Sequence, residues 1–172
     1  VGGSQAPPGL APRLRGAGVN IRRAQPSESR EVRDWIMKHH YTRTAPPGYR
    51  VALEFLDRRT RVGAMLLGRP TSRELDTALW LELTRMYFVD DAPKNTESQG
   101  LSMMRRWVRV WMPEIKGLLA YANPSVGHIG TVYRADGWAP FGLTKLNHVG
   151  WRNRPGRTSE APSRKSRWIR SP

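Results

Sequence analysis

Apolar residues recur with two different spacings along the body of the chain, and these spacings predict which segments are helices and which are strands. The positions of Val32, Trp35 and Ile36 predict a helix over residues 27–39, with Ser27 as its cap. Similar spacing predicts helices over residues 98–112 and 128–134. Alternation and short apolar runs predict strands over residues 19–24, 49–56, 61–67, 79–89, 118–122 and 138–144.

The fourth of these strands, residues 79–89, carries an arginine in an apolar setting. Strict alternation places on one face Leu81, Leu83, Arg85, Tyr87 and Val89. Glu82 then points to the other face and cannot pair with Arg85. Because an unpaired arginine is costly to bury, we expect Arg85 to bind a phosphate or carboxylate.

The order of the predicted elements is strand, helix, three strands, helix, strand, helix, strand. This order predicts an α/β fold in which helices flank a central mixed β-sheet, over residues 19–149. Gly and Pro dominate residues 1–18, which we expect to form a flexible N-terminal arm. Residues 150–172 are polar and rich in arginine, and we expect them to form a basic C-terminal tail.

The chain has 29 Lys and Arg residues against 14 Asp and Glu residues, which gives a formal net charge of +15. Such an excess favours a polyanionic partner, with nucleic acid ahead of an anionic membrane surface. No apolar run approaches the length of a membrane span, so we expect no membrane partner. The absence of Cys excludes disulfides, thiol nucleophiles and Cys-type zinc sites, and an intracellular location is expected.

Two groups of arginines are candidates for contact with DNA. In the helix at residues 98–112, the apolar face comprises Leu101, Met104, Val108, Trp111 and Met112, and the opposite face carries Arg105, Arg106 and Arg109. In the tail, Trp151 and Trp168 are interleaved with arginines, and an indole can stack on a base. The candidates there are Trp151, Arg152, Arg154 and Arg157; for both groups a solvated surface is the alternative.

Short motifs follow one another in an order that resembles a known family. The motifs are His40-Tyr41, Leu81-Glu82-Leu83-Thr84-Arg85, the loop 91–98, Tyr121-Ala122-Asn123-Pro124 and Gly127-His128-Ile129-Gly130-Thr131. Over residues 36–145 they resemble the phage Mom family of DNA-modification proteins. The element order, the polar turn after Asn123 and the helix with Tyr133 resemble the GNAT acyltransferase fold.

The resemblance implies an enzyme that adds a carbamoylmethyl-type group to the N6 amine of adenine in phage DNA and so protects it from host restriction. A base inside a duplex must be extruded before an enzyme can reach it. The implied partner is therefore double-stranded DNA with a flipped adenine, and the implied location is the cytoplasm of the phage's host.

The chemistry sets requirements for the site, because the adenine amine is a weak nucleophile. An enzyme must position this amine, remove a proton and stabilise charge on the donor. The resemblance makes Tyr133 the candidate proton donor to the leaving group, and the other candidate catalytic residues are Arg85, Ser98, Asn123, His40 and Tyr41. Structural alternatives are core packing for Tyr133, helix capping for Ser98, turn formation for Asn123 and a helix-dipole contact for His40.

The donor is less well defined by the sequence. Typical GNAT enzymes hold the pyrophosphate of coenzyme A on a glycine-rich loop at a helix N-terminus, but here residues 94–100 contain one glycine and the acidic Glu97. Candidate donor-binding residues are Thr96, Glu97, Ser98 and Gly100. An acyl-CoA and an aminoacyl-tRNA are both open as donors, and tRNA is therefore a second possible partner. The sequence shows no metal-ligand spacing, and we predict no metal site.

Two other functions fit parts of the pattern. One is a CoA-dependent N-acyltransferase that acts on a protein or a small molecule. The other is a basic nucleic-acid-binding module that has the same fold without catalysis. Nucleoside analysis of DNA separates them, since a modified adenine is expected only of the Mom-type enzyme.

Overall fold

The computed structural model describes residues 18–45, 48–144 and 165–172. The described strands are β1 (Val19–Arg23), β2 (Val51–Asp57), β3 (Thr60–Gly68), β4 (Trp80–Phe88), β5 (Gly117–Ala122), β6 (Ala139–Leu143) and β7 (Ser166–Arg170). The helices are α1 (Pro26–His39), α2 (Thr96–Trp111) and α3 (Thr131–Ala135), with a 3₁₀ turn at Pro124–Val126.

These strands form one mixed sheet in the order β1-β2-β3-β4-β5-β7-β6. Neighbours are antiparallel except β4 and β5, which are parallel. Helix α1 packs on one face over a small apolar cluster, and α2 and α3 cover the larger core on the other face. The predicted architecture of a mixed sheet flanked by helices is confirmed, and in the described part of the chain no helix is long and apolar enough to cross a membrane.

Both long helices begin at residues other than those predicted. Gln25 precedes α1, and its backbone N–H donates to Glu28 Oε2 at 3.0 Å, so Ser27 lies inside the first turn and is not the cap. Asn95 precedes α2 with a left-handed φ of 68°, which places Ser98 in the first turn. Ser98 Oγ donates back to the Asn95 carbonyl at 3.0 Å, so the capping alternative for Ser98 is wrong.

The apolar face of α2 also differs in part. Leu101, Met104 and Val108 are buried as predicted, and Trp107 joins them. Trp111 remains 38% exposed at the end of the helix, so its predicted place in the core is wrong.

A β-bulge in β4 changes the predicted assignment of its faces. Leu66 of β3 pairs with Arg85 and Leu67 pairs with Leu83, so one residue between them has no partner in the register. A bulge of this kind reverses the alternation beyond it. Phe88 therefore shares the large core with Leu81 and Leu83, and Arg85 does not face the same way as these leucines.

Strands β4 and β5 separate beyond the middle of the sheet. Their register ends at the pair Leu83–Ala120, although β4 continues to Phe88. On its other edge, β5 pairs with β7 from Leu118 to Ala122. The two parallel strands therefore open into a V, and polar groups from both sides reach the opening.

Strand β7 corrects the prediction for the C-terminal tail. It inserts between β5 and β6, and its Trp168 is only 3% exposed. Trp168 therefore packs in the core beside Tyr133 and is not available for stacking on a base. The alternation over residues 166–170 is too short and too rich in arginine to identify a central strand. Residues 1–17, the predicted arm, and 145–164 lie outside the described residues.

Candidate active site at the strand opening

Arg85 is held in place by neutral groups at the opening between β4 and β5. Its Nε donates to the Thr44 carbonyl at 2.7 Å and its Nη1 to the Thr84 carbonyl at 2.6 Å. Among the described residues no carboxylate forms an ion pair with it. Burial lowers the pKa of Arg85 from its usual value, and the nearby Tyr41 and Glu82 oppose that shift, so the guanidinium remains a cation near pH 7.

His40 lies beside Arg85 and is oriented by the chain that follows α1. The backbone N–H of Thr42 donates to His40 Nδ1 at 3.2 Å. Burial, together with the positive charges of Arg85 and His128, lowers the pKa of His40 to about 4. The ring is therefore neutral near pH 7, and because Nδ1 accepts, the proton lies on Nε2. His40 is thus a hydrogen-bond donor in this site and not a proton acceptor.

Tyr41 links the segment after α1 to the turn after β5. Its ring lies 4.4 Å from the ring of His40 and 4.8 Å from that of His128, and 49% of the residue is exposed. The pKa values of both Arg85 and Tyr133 respond to Tyr41. Arg85 and Tyr133, which the sequence separates by 48 positions, therefore lie on the same side of the molecule.

Tyr133 is buried on α3 against two indoles. Its ring centroid lies 5.4 Å from that of Trp138 and 6.1 Å from that of Trp168. Burial raises the pKa of Tyr133 well above its usual value, and the charges of Tyr41, Glu97 and Glu82 raise it further. The hydroxyl therefore keeps its proton at neutral pH, which suits a proton donor.

Glu82 is a member of this site that the sequence analysis did not identify. It is 6% exposed, and its Oε2 accepts from the backbone N–H and the hydroxyl of Thr71 at 2.7 and 2.9 Å. Burial raises its pKa above the usual value. The sequence signal for this residue was a glutamate between apolar residues in a central strand. The sequence analysis considered Glu82 only as an ion-pair partner for Arg85 and did not consider it as a site residue.

A second buried glutamate shows how unusual Glu82 is. Glu54 on β2 is 1% exposed, and it pairs with Arg22 at 2.7 Å and with Arg61 at 2.6 Å. Its charge is neutralised by two guanidinium groups, which is the usual arrangement for a buried carboxylate. Glu82 has no ion pair among the described residues. Its carboxylate is therefore a candidate proton acceptor in catalysis.

Asn123 ends β5 and starts the turn that borders the opening. Its carbonyl accepts the backbone N–H groups of Val126 and His128, both at 3.2 Å. The predicted helix over residues 128–134 begins only at Thr131, so His128 belongs to this turn. The backbone of Asn123 thus has the predicted turn role, and its position beside the opening agrees with the predicted site.

A cavity of about 430 Å³ adjoins the opening between the end of β4, the first turn of α2 and α3. Three of the four candidate donor-binding residues line it: Thr96, Glu97 and Ser98. The Thr96 hydroxyl donates to the Pro93 carbonyl at 2.5 Å, so it stabilises the loop. Asp90, Lys94 and Glu97 supply the charged groups of the lining, with a net charge of about −1 at neutral pH.

Gly100 has a packing role instead of the predicted donor contact. It does not line the cavity, and a Cβ at this position would lie 2.4 Å from Phe88 Cζ. The glycine allows the Phe88 ring to fit between α2 and β4. Gly100 thus lies in a segment that resembles a ligand-binding motif, but its role is in the packing of the core.

The arginines on α2 have different environments. Arg105 forms a two-pronged ion pair with the Asp136 carboxylate at 2.8 and 2.9 Å, which ties α2 to the end of α3. Its predicted DNA contact is therefore replaced by a structural role. Arg109 donates to the Pro172 carbonyl at 2.6 Å, and Arg106 is exposed. The candidates Trp151, Arg152, Arg154 and Arg157 lie outside the described residues.

The histidines do not form a chelating group. His39 stacks on Tyr87 with a centroid distance of 5.4 Å, whereas the adjacent His40 turns toward Arg85. Within residues 18–45, 48–144 and 165–172, no three His, Asp or Glu side chains are arranged to hold a metal ion.

Comparison with solved structures identifies the fold. The ribosomal-protein-S5-alanine acetyltransferase of Vibrio fischeri superposes with a TM-score of 0.64 at 9% identity, over 95% of this chain and 97% of that protein. An acetyltransferase of the GNAT family from Streptococcus pneumoniae gives a TM-score of 0.62 at 10% identity, over 89% of this chain and 98% of that one. The predicted GNAT-like fold is confirmed.

Comparison of sequences identifies the family. The methylcarbamoylase Mom of Escherichia phage Mu is 33% identical over 69 residues, which are 40% of this chain and 29% of that protein. The chain thus matches less than a third of the length of this relative. The sequence model of the Mom protein family matches residues 22–166. The chain, whose strand opening carries the buried Glu82 and the half-buried Arg85, therefore belongs to the Mom protein family.

Proposed function

We propose that this protein transfers a carbamoylmethyl-type group to the N6 amine of adenine in phage DNA, inside the host cell, and thereby protects the DNA from restriction. The proposal rests above all on one observation: β4 carries the buried Glu82 and the half-buried Arg85 around the point where it separates from β5, and α3, which follows the turn after β5, carries the buried Tyr133. Membership of the Mom family supports DNA adenine as the acceptor. The net charge of +15 supports a nucleic-acid substrate.

Glu82 is the base in this proposal. Its raised pKa gives it greater proton affinity than an exposed carboxylate, and the two bonds from Thr71 hold it in one orientation. The N6 amine loses a proton as it attacks the donor carbon, and the Glu82 carboxylate accepts that proton directly or through a water molecule.

Tyr133 is the acid. With an aminoacyl-tRNA donor, the N6–carbon bond forms at the ester carbonyl carbon while the ester bond to the tRNA breaks, and the Tyr133 hydroxyl gives its proton to the departing 3′-terminal oxygen of the tRNA. A glycyl group transferred in this way contains the same atoms as a carbamoylmethyl group, so a rearrangement within the adduct gives the carbamoylmethyl-type product without a further reactant. The proton held by Glu82 then returns to Tyr133 through solvent, so both groups regain their starting states. The raised pKa of Glu82 makes its carboxylate a stronger base, and the raised pKa of Tyr133 keeps its hydroxyl protonated until the leaving group takes the proton.

Arg85 and His40 position charge at the same opening. The fixed guanidinium of Arg85 attracts an anionic group, either a phosphate of the extruded nucleotide or a carboxylate or phosphate of the donor. The Nε2–H of His40 donates to a carbonyl or ring nitrogen and carries no charge. Tyr41, exposed beside them, offers a ring face on which the adenine stacks.

The cavity at the start of α2 is the proposed donor site. Its negative lining disfavours the pyrophosphate of an acyl-CoA, although the first turn of α2 supplies backbone amides. An aminoacyl-tRNA reaches the cavity with its terminal ester and keeps most of its phosphates on the basic surface outside. We therefore favour an aminoacyl-tRNA-type donor over acyl-CoA, with tRNA as the second partner.

Nucleoside analysis tests the proposed reaction. DNA from cells that express the chain is digested to nucleosides and examined by mass spectrometry for an adenosine derivative heavier by a carbamoylmethyl group. Glu82→Gln is expected to reduce this product by about 100-fold or more, because the amide cannot accept the N6 proton.

Glu54→Gln is the matched control, since it changes the other buried carboxylate in the same way. It weakens the ion pairs with Arg22 and Arg61 and lowers the melting temperature, but leaves the product per folded molecule unchanged. A wild-type protein that acetylates peptides with acetyl-CoA and yields unmodified DNA would refute the proposal. Tight DNA binding without any adduct would support the non-catalytic alternative instead.

A further inference from the structure

The turn after β5 exposes two large aliphatic side chains beside the candidate site. Val126 is 43% exposed and Ile129 is 59% exposed. They flank His128, whose ring contacts Tyr41 at the mouth of the opening. Core packing accounts for neither side chain, and neither has a role in the proposed chemistry.

The turn that carries these side chains is anchored at both ends. At its start, the Asn123 carbonyl accepts two backbone N–H groups and the Pro124 carbonyl accepts that of Gly127 at 3.0 Å. At its end, Gly130 has a φ of 84°, and a Cβ there would lie 2.3 Å from the Trp168 indole. The backbone of the turn is therefore held in place against the core, and it exposes the side chains of Val126 and Ile129.

Three exposed basic residues lie on segments that adjoin this turn or the residues it contacts. Arg43 follows Tyr41 by two residues, Arg134 lies on α3 directly after the turn, and all three of Arg43, Arg134 and Lys165 are exposed. Lys165 precedes β7, whose first residue pairs with the end of β5 from which the turn leaves. An exposed apolar tip on a chain with a net charge of +15 matches a duplex, whose phosphates lie outside and whose base stack lies within.

On the basis of the proposed function, we propose that Val126 and Ile129 form a wedge that enters the base stack of duplex DNA when the adenine is extruded. Extrusion breaks stacking and pairing, which costs a few kcal/mol. Aliphatic side chains that fill the vacated space recover part of this cost and prevent the base from returning. Tyr41 then receives the extruded base beside the wedge.

Fluorescence of 2-aminopurine tests the wedge without the donor. Each adenine of a duplex oligonucleotide is replaced in turn by 2-aminopurine, whose emission rises when the base leaves the stack. We expect the wild-type protein to raise the emission only when 2-aminopurine occupies the position of the adenine that is extruded. In the double variant Val126→Ser/Ile129→Ser, we expect the rise at saturating protein to fall roughly tenfold, while affinity for the single strand changes by less than about twofold.

Val110→Ser is the matched control. Val110 is 66% exposed but lies on the last turn of α2, at the opposite end of that helix from the cavity. This variant is expected to behave as the wild type on both probes. Circular dichroism and thermal unfolding confirm that each variant is folded.

Several results would overturn the wedge. An unchanged rise in the double variant, or an equal loss of affinity for duplex and single strand, excludes a role in extrusion. A change from dimer to monomer in light scattering assigns the two side chains to an interface between copies. A wild-type protein that modifies adenine in cells without raising the emission refutes the wedge alone, whereas failure of both assays refutes the proposed function.

Discussion

The two buried glutamates show, at the scale of single residues, how the fold separates structure from chemistry. Glu54 and Glu82 are both almost fully buried in the sheet. Two arginines neutralise Glu54, whereas Thr71 holds Glu82 through neutral donors and its pKa rises. Burial alone therefore does not identify a functional carboxylate; the identity of its partners does.

Tyr133→Phe tests whether the hydroxyl acts in chemistry or in packing. The described residues offer the Tyr133 ring two indole contacts, and these survive removal of the hydroxyl. We expect the free energy of unfolding to change by less than about 1 kcal/mol and the nucleoside product to fall by about 100-fold. Urea unfolding and nucleoside analysis measure the two quantities, and a large loss of stability with full activity would assign Tyr133 to the core.

His40 gives the protein a pH-dependent stability with a defined sign. Its pKa is about 4 in the folded protein and near the usual 6.5 when unfolded, so the unfolded chain binds the extra proton between these values. The contribution of His40 is complete above pH 6.5 and is lost as the pH falls toward 4. Glu82, whose pKa is raised, opposes this trend because folding favours its protonated form at low pH.

His40→Asn isolates this contribution, because the amide oxygen of Asn can accept the Thr42 N–H in place of Nδ1. Between pH 6.5 and 4, we expect the variant to lose about 1 kcal/mol less than the wild type, since water screens the partly exposed ring. Urea unfolding across this range provides the measurement. Parallel curves for the two proteins would show that His40 does not carry the dependence.

At the scale of elements, one bulge and one inserted strand build the site. The bulge near Thr84 turns Arg85 away from the face of Leu81 and Leu83, toward the segment after α1. Strand β7 pairs with Leu118–Ala122 of β5 on the edge away from β4. The opening therefore exists because the β4–β5 register ends at Leu83–Ala120 while β7 holds the rest of β5 in the sheet from the other edge.

Trp168→Ala tests the structural importance of β7. Trp168 is almost fully buried and contacts Tyr133 and the turn glycine Gly130, so its truncation is expected to cost about 3–5 kcal/mol. Trp111→Ala is the control, since that indole is 38% exposed and its removal should cost less than about 1 kcal/mol. Chemical unfolding of both variants measures the two costs, and equal values would show that β7 is only a peripheral strand.

At the scale of the whole molecule, some of the arginines form ion pairs within the fold and others are candidates for binding DNA. Arg22, Arg61 and Arg105 are committed to carboxylates inside the fold. Arg106 is exposed, and Arg152, Arg154 and Arg157 belong to the basic segment that precedes β7. We propose that Arg106, Arg152, Arg154 and Arg157 contact DNA phosphates. Removal of residues 165–172 does not test this proposal, because it also removes β7 from the sheet.

Substitution of Arg152, Arg154 and Arg157 by Ala tests the basic segment while keeping β7. The slope of log affinity for duplex DNA against log salt should become shallower by about 2.7, since each phosphate that is no longer neutralised by an arginine reduces the slope by roughly 0.9. Alanine at the exposed Arg23, Arg30 and Arg58, which lie on the β1–β2 side of the sheet, serves as the charge-matched control. Equal effects in both triple variants would indicate a general charge effect without a defined binding segment.

The sequence by itself determined those features of the protein that depend on residues close together in the chain. Periodicity located α1, α2 and the strands from β1 to β6, because apolar spacing follows directly from helix and strand geometry. The motifs around His40, Arg85, Asn123 and Tyr133 indicated the family, since they retain their order along the chain. The net charge indicated a polyanionic partner before any fold was known.

Only the tertiary structure decided those features that depend on contacts between residues distant in the sequence. A bulge reversed the face of Arg85, Asp136 captured Arg105, and the core enclosed Trp168, three outcomes set by residues that no local pattern connects. Glu82 emerged as the candidate base for the same reason, because its proton affinity depends on burial and on the absence of a nearby guanidinium partner among the described residues. Local spacing indicates the face of a side chain only where the element is regular, and only packing sets the solvent exposure and the charges around that side chain.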